Sequence, residues 1–233
     1  MSTAHRLVWL FDVDGTLLLS GGAAREAIAY AVRVRLGIED DLKDIPIAGR
    51  TDPLILADIL KKHGRALSDG EMPRFWDTAC QRMEYLLTPG RDRLLPGVPG
   101  FLAEVDREPG WVAALLTGNT TRMARIKLDH LGIAGRFAFG AYGEEAADRP
   151  ELAKVAVARA AAGYGVPPGR CIVVGDTEHD IACARAAGAR VVAVATGIRT
   201  RDDLAAHGPD LLVDDLSDAA PCLAFAREVA AAD

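Results

Sequence analysis

The chain has no CxxC pair and only four cysteines, Cys80, Cys171, Cys183 and Cys222, set far apart. That spacing excludes a zinc site and a disulfide framework, and leaves buried, reduced thiols. No window approaches 18 uninterrupted apolar residues, and the N-terminus lacks the basic, apolar, small-residue order of a signal peptide. The expectation is a cytoplasmic protein with no membrane partner. Basic runs are missing too, and a net charge of −6 with a pI near 5.4 argues against a nucleic-acid partner. Internal repeats are absent, and the alanine-rich stretch AKVAVARAAA reads as helix. What remains is ordinary globular composition: 233 residues, 50% hydrophobic and 26% charged, enough for one large domain or two small ones.

Residues 7–20 read LVWLFDVDGTLLLS. The apolar run over 7–11 predicts a strand covered on both faces, yet it ends in Asp12, Asp14 and Gly15 where a core would continue. Helices are predicted over 23–35, over 52–62 with Asp52 as N-cap and Pro53 behind it, and over about 71–87, with no strand between them. The segment TPGRDRLLPGVPG (88–100) concentrates Pro and Gly and reads as a hinge. Strand and helix then alternate: strands at 112–116, 171–174, 191–194 and 211–213, helices at 121–131, 152–162 and 181–187. This pattern predicts an α/β fold with a Rossmann-like parallel sheet, residues 1–17 and 93–233, interrupted by an all-helical insertion over 18–92.

Polar residues collect where predicted strands stop: Asp12 and Asp14, then LLTGNT (115–120), then VVGDTEHD (173–180). The carboxyl ends of neighbouring parallel strands form the ligand crevice, so these distant segments are expected to converge. Asp12, Asp14 and Asp176 together repel one another unless a hard divalent cation lies among them, and oxygen ligands favour Mg²⁺. TGNT, with Thr117, Gly118 and Asn119 at the start of a helix, offers an anion backbone N–H groups, a dipole and a hydroxyl. A cation site beside an anion site points to a phosphate ester.

The set DVDGT (12–16), TGNT (117–120) and GDTEHD (175–180) resembles the haloacid dehalogenase superfamily, in particular its Mg²⁺-dependent phosphatases of the phosphoglycolate phosphatase-like group. The resemblance covers nearly the whole chain, the helical insertion being similar to that superfamily's C1 cap. It implies a phosphomonoester hydrolase acting on a small phosphorylated metabolite. Asp12 is then the nucleophile that forms an aspartyl-phosphate, and Asp14 the general acid and base. The metal is held by the Asp12 side chain, the main-chain oxygen of Asp14 and Asp176, with Asp180 supporting that shell. Thr117 holds a phosphoryl oxygen, and Gly15 and Gly175 allow close backbone approach. The family's phosphate-neutralising cation falls best on Arg149, which precedes Pro150 where Lys-Pro is commoner; Lys154 is the alternative.

Arg50, in AGRTDP, lies where C1-capped relatives carry specificity residues, so it is a candidate for a second anionic group of the substrate; a surface arginine is the plain alternative. His179 reads as exposed filler within its motif, and Trp9, Trp76 and Trp111 as packing residues. Asp14 argues against dehalogenation, and none of Lys43, Lys61 and Lys62 has the context of a Schiff-base lysine. A mutase resembling β-phosphoglucomutase and a non-catalytic binding module stay open as alternatives. A Rossmann oxidoreductase does not, because the first strand is not followed by G-x-G-x-x-G. Monomer and homodimer are both compatible with the sequence.

Overall fold

The computed structural model describes residues 6–231; the outer ends of the expected core segments, 1–5 and 232–233, lie outside them. A six-stranded sheet forms the centre, built from β1 (Leu7–Phe11), β4 (Trp111–Thr117), β5 (Gly140–Tyr142), β6 (Cys171–Gly175), β7 (Arg190–Val194) and β8 (Leu211–Val213). Its order is β5-β4-β1-β6-β7-β8, and every pairing is parallel. β1 is central because all five of its residues are fully apolar and both its edges are paired.

Alternation along β1 splits the core into two layers. Leu7, Trp9 and Phe11 face α4 (Val98–Arg107) and α9 (Ala220–Ala231), where Phe101 meets the Trp9 ring edge-on at 5.1 Å. Val8 and Leu10 face α6 (Arg149–Tyr164) and α7 (Glu178–Ala186) through Leu152, Ala156, Ile181 and Ala184. The short α8 (Arg201–Ala206) adds Leu204 to that layer.

Between β1 and β4 the chain leaves the sheet through β2 (Leu18–Leu19) and returns through β3 (Arg93–Leu94), which pair antiparallel as a two-stranded ribbon. Between them lie α1 (Ala23–Leu36), α2 (Asp52–Lys62) and α3 (Glu71–Leu86). These helices enclose an apolar cluster of their own around Ile28, Val32, Ile55, Ile59 and Phe75. A second cluster, with Ala27, Cys80, Met83 and Leu87, reaches Met123 of α5 (Thr121–His130) and so joins the helical unit to the sheet unit.

Three local readings change. The N-cap of α2 is Thr51, whose Oγ1 accepts from Leu54 N–H at 3.4 Å, and Asp52 is already helical. The last three residues of the expected hinge, 98–100, are helix: Gly97 (φ 80°) turns the chain and Pro99 occupies the first turn of α4, where its missing N–H costs nothing. The helix predicted at 152–162 starts earlier, at Arg149, capped by Asp148, whose carboxylate accepts from Glu151 N–H. All four cysteines are buried and free. Among the described residues no helix is long and apolar enough to cross a membrane.

Candidate active site

β1, β4 and β6 are adjacent and parallel, so their carboxyl ends lie side by side. Asp12 follows β1, Thr117 closes β4 and Asp176 follows β6, and all three are buried. Asp12, Asp176 and Asp180 each turn a carboxylate oxygen into one cluster, within 4.8 Å of one another. Arg149, at the first position of α6, reaches this cluster from the side: Nη2 lies 3.5 Å from Asp12 and is paired with Asp180. Its Nε is buried and has no hydrogen-bond partner among the described residues.

The electrostatics follow from crowding acids in a dry place. Burial pushes the Asp12 carboxyl up to about 6, Arg149 pulling it back and Asp180 adding to the rise. Asp176 is pushed up to about 8, first by burial and then by the charges of Asp180 and Asp12. Burial works against the charge on Arg149, but Asp12 and Asp180 outweigh it and hold the guanidinium protonated. Three carboxylates facing one point with one cation to the side form a set short of positive charge.

That deficit, and all-oxygen donors, fit a hard divalent cation. The backbone makes room for it: Gly15 has φ +84°, and a Cβ there would meet the Asp176 carboxylate, as would one at Gly197. Asp12 and Asp176 have oxygens to offer. Asp180 has fewer, since Oδ2 accepts from Thr177 N–H (3.0 Å) and Oγ1 (2.7 Å) while Oδ1 is paired with Arg149.

Asp14 is a correction to the expected carboxylate cluster: its side chain stands outside. Oδ2 accepts from Asn119 Nδ2 at 2.7 Å and from Lys127 Nζ at 2.6 Å, which ties the side chain to the segment after β4 and to α5 rather than to the cluster. Asn119 Nδ2 also donates to Thr117 Oγ1 at 2.9 Å, and its Oδ1 accepts from Lys127 Nζ at 2.6 Å. Asn119 therefore links the two segments that the sequence brings to this rim. The TGNT amides are only partly open to a ligand. Asp52 takes Thr120 N–H at 2.8 Å, and Glu144 takes Thr121 N–H at 2.9 Å, because a helix start attracts any carboxylate within reach.

Over this rim lie the loop 48–51 of the helical unit and the start of α2. Asp52 N–H donates to Gly118 O at 2.7 Å, and a Cβ on Gly118 would strike the Arg50 carbonyl. Gly49 packs against the His179 ring, which gives that half-exposed histidine a contact the sequence does not disclose. The Arg50 side chain is paired with Asp58 of α2, not with any residue of the carboxylate cluster. Lys154 is exposed and bound to Glu151 at 2.6 Å, whereas Arg149 reaches the carboxylate cluster. Two residues escaped the sequence reading. Asp52, which the sequence marks as a cap for its own helix, accepts from Thr120 instead, and Lys127 lies on the buried face of α5 with Met123, Ala124 and Leu128. The available signal for Lys127 was its place among apolar residues at helical spacing.

A phosphoglycolate phosphatase of Xanthomonas campestris is 31% identical over 196 residues, 83% of this chain and 85% of its own. Among solved structures, CbbY from Rhodobacter sphaeroides in complex with phosphate superposes with a TM-score of 0.74 at 22% identity, covering 91% of this chain and 96% of its own. A β-phosphoglucomutase from Clostridium difficile gives 0.72, also at 22% identity, covering 97% of each. At that identity the two structures speak for the fold. The profile of the haloacid dehalogenase-like hydrolases matches residues 8–188, and with the acidic rim at the ends of β1 and β6 it settles the assignment: the chain belongs to the haloacid dehalogenase-like hydrolase family.

Proposed function

We propose that this hydrolase is a Mg²⁺-dependent phosphomonoesterase that acts on a small phosphorylated metabolite of the phosphoglycolate type. The observation that supports it best is the buried trio Asp12, Asp176 and Asp180 with Arg149 3.5 Å from Asp12. The substrate class is carried over from the Xanthomonas relative, which matches most of both chains. Residues 18–92 act as the cap over the site, and the enzyme works in the cytoplasm as a monomer or homodimer.

Asp12 attacks phosphorus, and the bond from phosphorus to the ester oxygen breaks, which gives an aspartyl-phosphate on Asp12. Asp14 gives its proton to the departing oxygen. Water then attacks phosphorus, Asp14 takes the proton from that water, and the bond from phosphorus to Asp12 breaks, releasing inorganic phosphate. Arg149 offsets negative charge on the phosphoryl oxygens, and Thr117 with Gly118 and Asn119 positions them. Mg²⁺, held by Asp12, Asp176 and the main chain of Asp14, supplies further charge neutralisation when bound. The Arg50 loop and the start of α2 at Asp52 keep bulk water out while they are docked.

Phosphate release from a panel of small esters, with and without Mg²⁺, tests this reading. Release that needs Mg²⁺ and disappears in Asp12→Asn is expected. No release from any ester, with interconversion of sugar phosphates instead, refutes hydrolysis in favour of a mutase.

A further inference from the structure

The least expected buried group is Lys127. Its side chain is 1% exposed, on the apolar face of α5. Taking an ammonium out of water costs several kcal/mol unless it is paired and hydrogen-bonded. Lys127 Nζ meets both conditions in one place, donating to Asp14 Oδ2 and Asn119 Oδ1, each at 2.6 Å. The charge also acts on buried Asp52 of the helical unit, lowering a carboxyl that burial drives up to about 6.

From this geometry we propose that Lys127 is a positioning residue for the proton-transfer step, fixing the carboxylate of Asp14 against the ester oxygen that leaves. Asp14 needs such a tether because its side chain is 40% exposed, and on its own it has several open rotamers. Lys127 and Asn119 both bond Oδ2, and among the described residues Oδ1 accepts no hydrogen bond. One oxygen is the anchor and the other is the one that exchanges the proton. Asn119 in turn holds Thr117 Oγ1, so a single ammonium sets the distance between the proton donor and the segment that receives the phosphoryl group. Lys127 does not touch substrate in this scheme. It acts through Asp14, and this rests on the phosphomonoesterase reading above.

The test uses leaving groups of different basicity in the full-length Mg²⁺-loaded enzyme. An alkyl phosphate needs a proton on its departing oxygen, whereas p-nitrophenyl phosphate leaves without one. kcat/KM is read because it covers the steps through leaving-group departure. For Lys127→Met the expected loss is about 10²-fold on the alkyl ester, the lower end of what general acid catalysis supplies, and a much smaller loss on the aryl ester. Lys127→Gln keeps a hydrogen-bond donor and is measured in parallel should the methionine variant not fold; its loss on the alkyl ester is intermediate. Asp14→Asn has the same profile, and the Lys127→Met, Asp14→Asn double variant is no worse than Asp14→Asn alone. Equal losses on both esters, or additive losses in the double variant, overturn the assignment and make Lys127 a packing residue. A wild type that hydrolyses neither ester fails at the earlier step: it overturns the phosphomonoesterase reading, and the role of Lys127 with it.

Discussion

Asp176→Asn should make the metal-free protein more stable at neutral pH while abolishing its response to Mg²⁺. The Asp176 carboxyl is buried and its pKa rises from 3.8 to about 8, so between those values the folded state holds a proton that the unfolded chain releases. Stability contributed by this group therefore falls as pH rises through that window, and at pH 7 about three pH units of it have been crossed. At about 1.4 kcal/mol per unit the ceiling is roughly 4 kcal/mol. Asp12 and Asp180 share the crowding, so removing one carboxylate recovers about half, roughly 2 kcal/mol. In a chain of this size that is a Tm increase of about 4–8 °C. Asparagine keeps an oxygen to accept the Thr16 hydroxyl, which lies 3.1 Å from Asp176 Oδ1, so the substitution opens no cavity. Thermal melts in EDTA at pH 4, 7 and 8 measure the effect. The variant should match wild type near pH 4, exceed it at pH 7 and 8, and lose the rise in Tm that Mg²⁺ gives wild type. A variant no more stable than wild type at pH 8 in EDTA, or one that Mg²⁺ stabilises equally, would refute the view that these acids are held together for a cation.

Two further outcomes separate neighbouring residues. Arg149→Met should lower kcat/KM by about 10²-fold or more, by loss of a preorganised charge, while Lys154→Ala, which only breaks an exposed pair with Glu151, should leave both kcat/KM and stability within about 0.5 kcal/mol of wild type; steady-state kinetics and melts on both variants decide it. Gly118→Ala puts a methyl group against the Arg50 carbonyl, so the 48–51 loop must lift; kcat/KM should drop about 10²-fold with Tm changed by only a few degrees, and an unaffected kcat/KM would show that this docking is not needed for turnover.

The parts of this fold that were legible in the sequence are those whose physical cause is local. β1, β4, β6 and β7 announce themselves as apolar runs, and the motif acids mark where each ends. Thr51 took the cap from Asp52 because Asp52 is drawn to Thr120, a contact with a segment 68 positions away. β2 and β3 are two residues each, too short to show a period. α4 was hidden by Pro99 and Gly100, which read as loop until the N-terminal turn of a helix gives the proline a place. The carboxylate cluster was expected from Asp12, Asp14 and Asp176, yet Asp180 stands in the place of the Asp14 side chain, since whether a side chain turns inward depends on what binds it. For Asp14 the binder is Lys127, whose one trace in the sequence is its place among apolar residues at helical spacing.

The β2–β3 ribbon has a consequence for how the chain assembles. Leu18 is paired with Leu94, so everything between them begins and ends at one point. Without that pairing, joining β1 to β4 means closing a loop of about a hundred residues, Leu7 meeting Trp111. If the three helices collapse first on their own apolar cluster, the ribbon shortens that search to the segments 12–17 and 95–110 outside it, and loop-closure entropy, which grows only with the logarithm of length, is partly met before the sheet forms. The same clasp makes the helical segment exchangeable over evolutionary time: a longer, shorter or missing insertion can be spliced at Leu19 and Arg93 without altering the register of a single strand in the sheet.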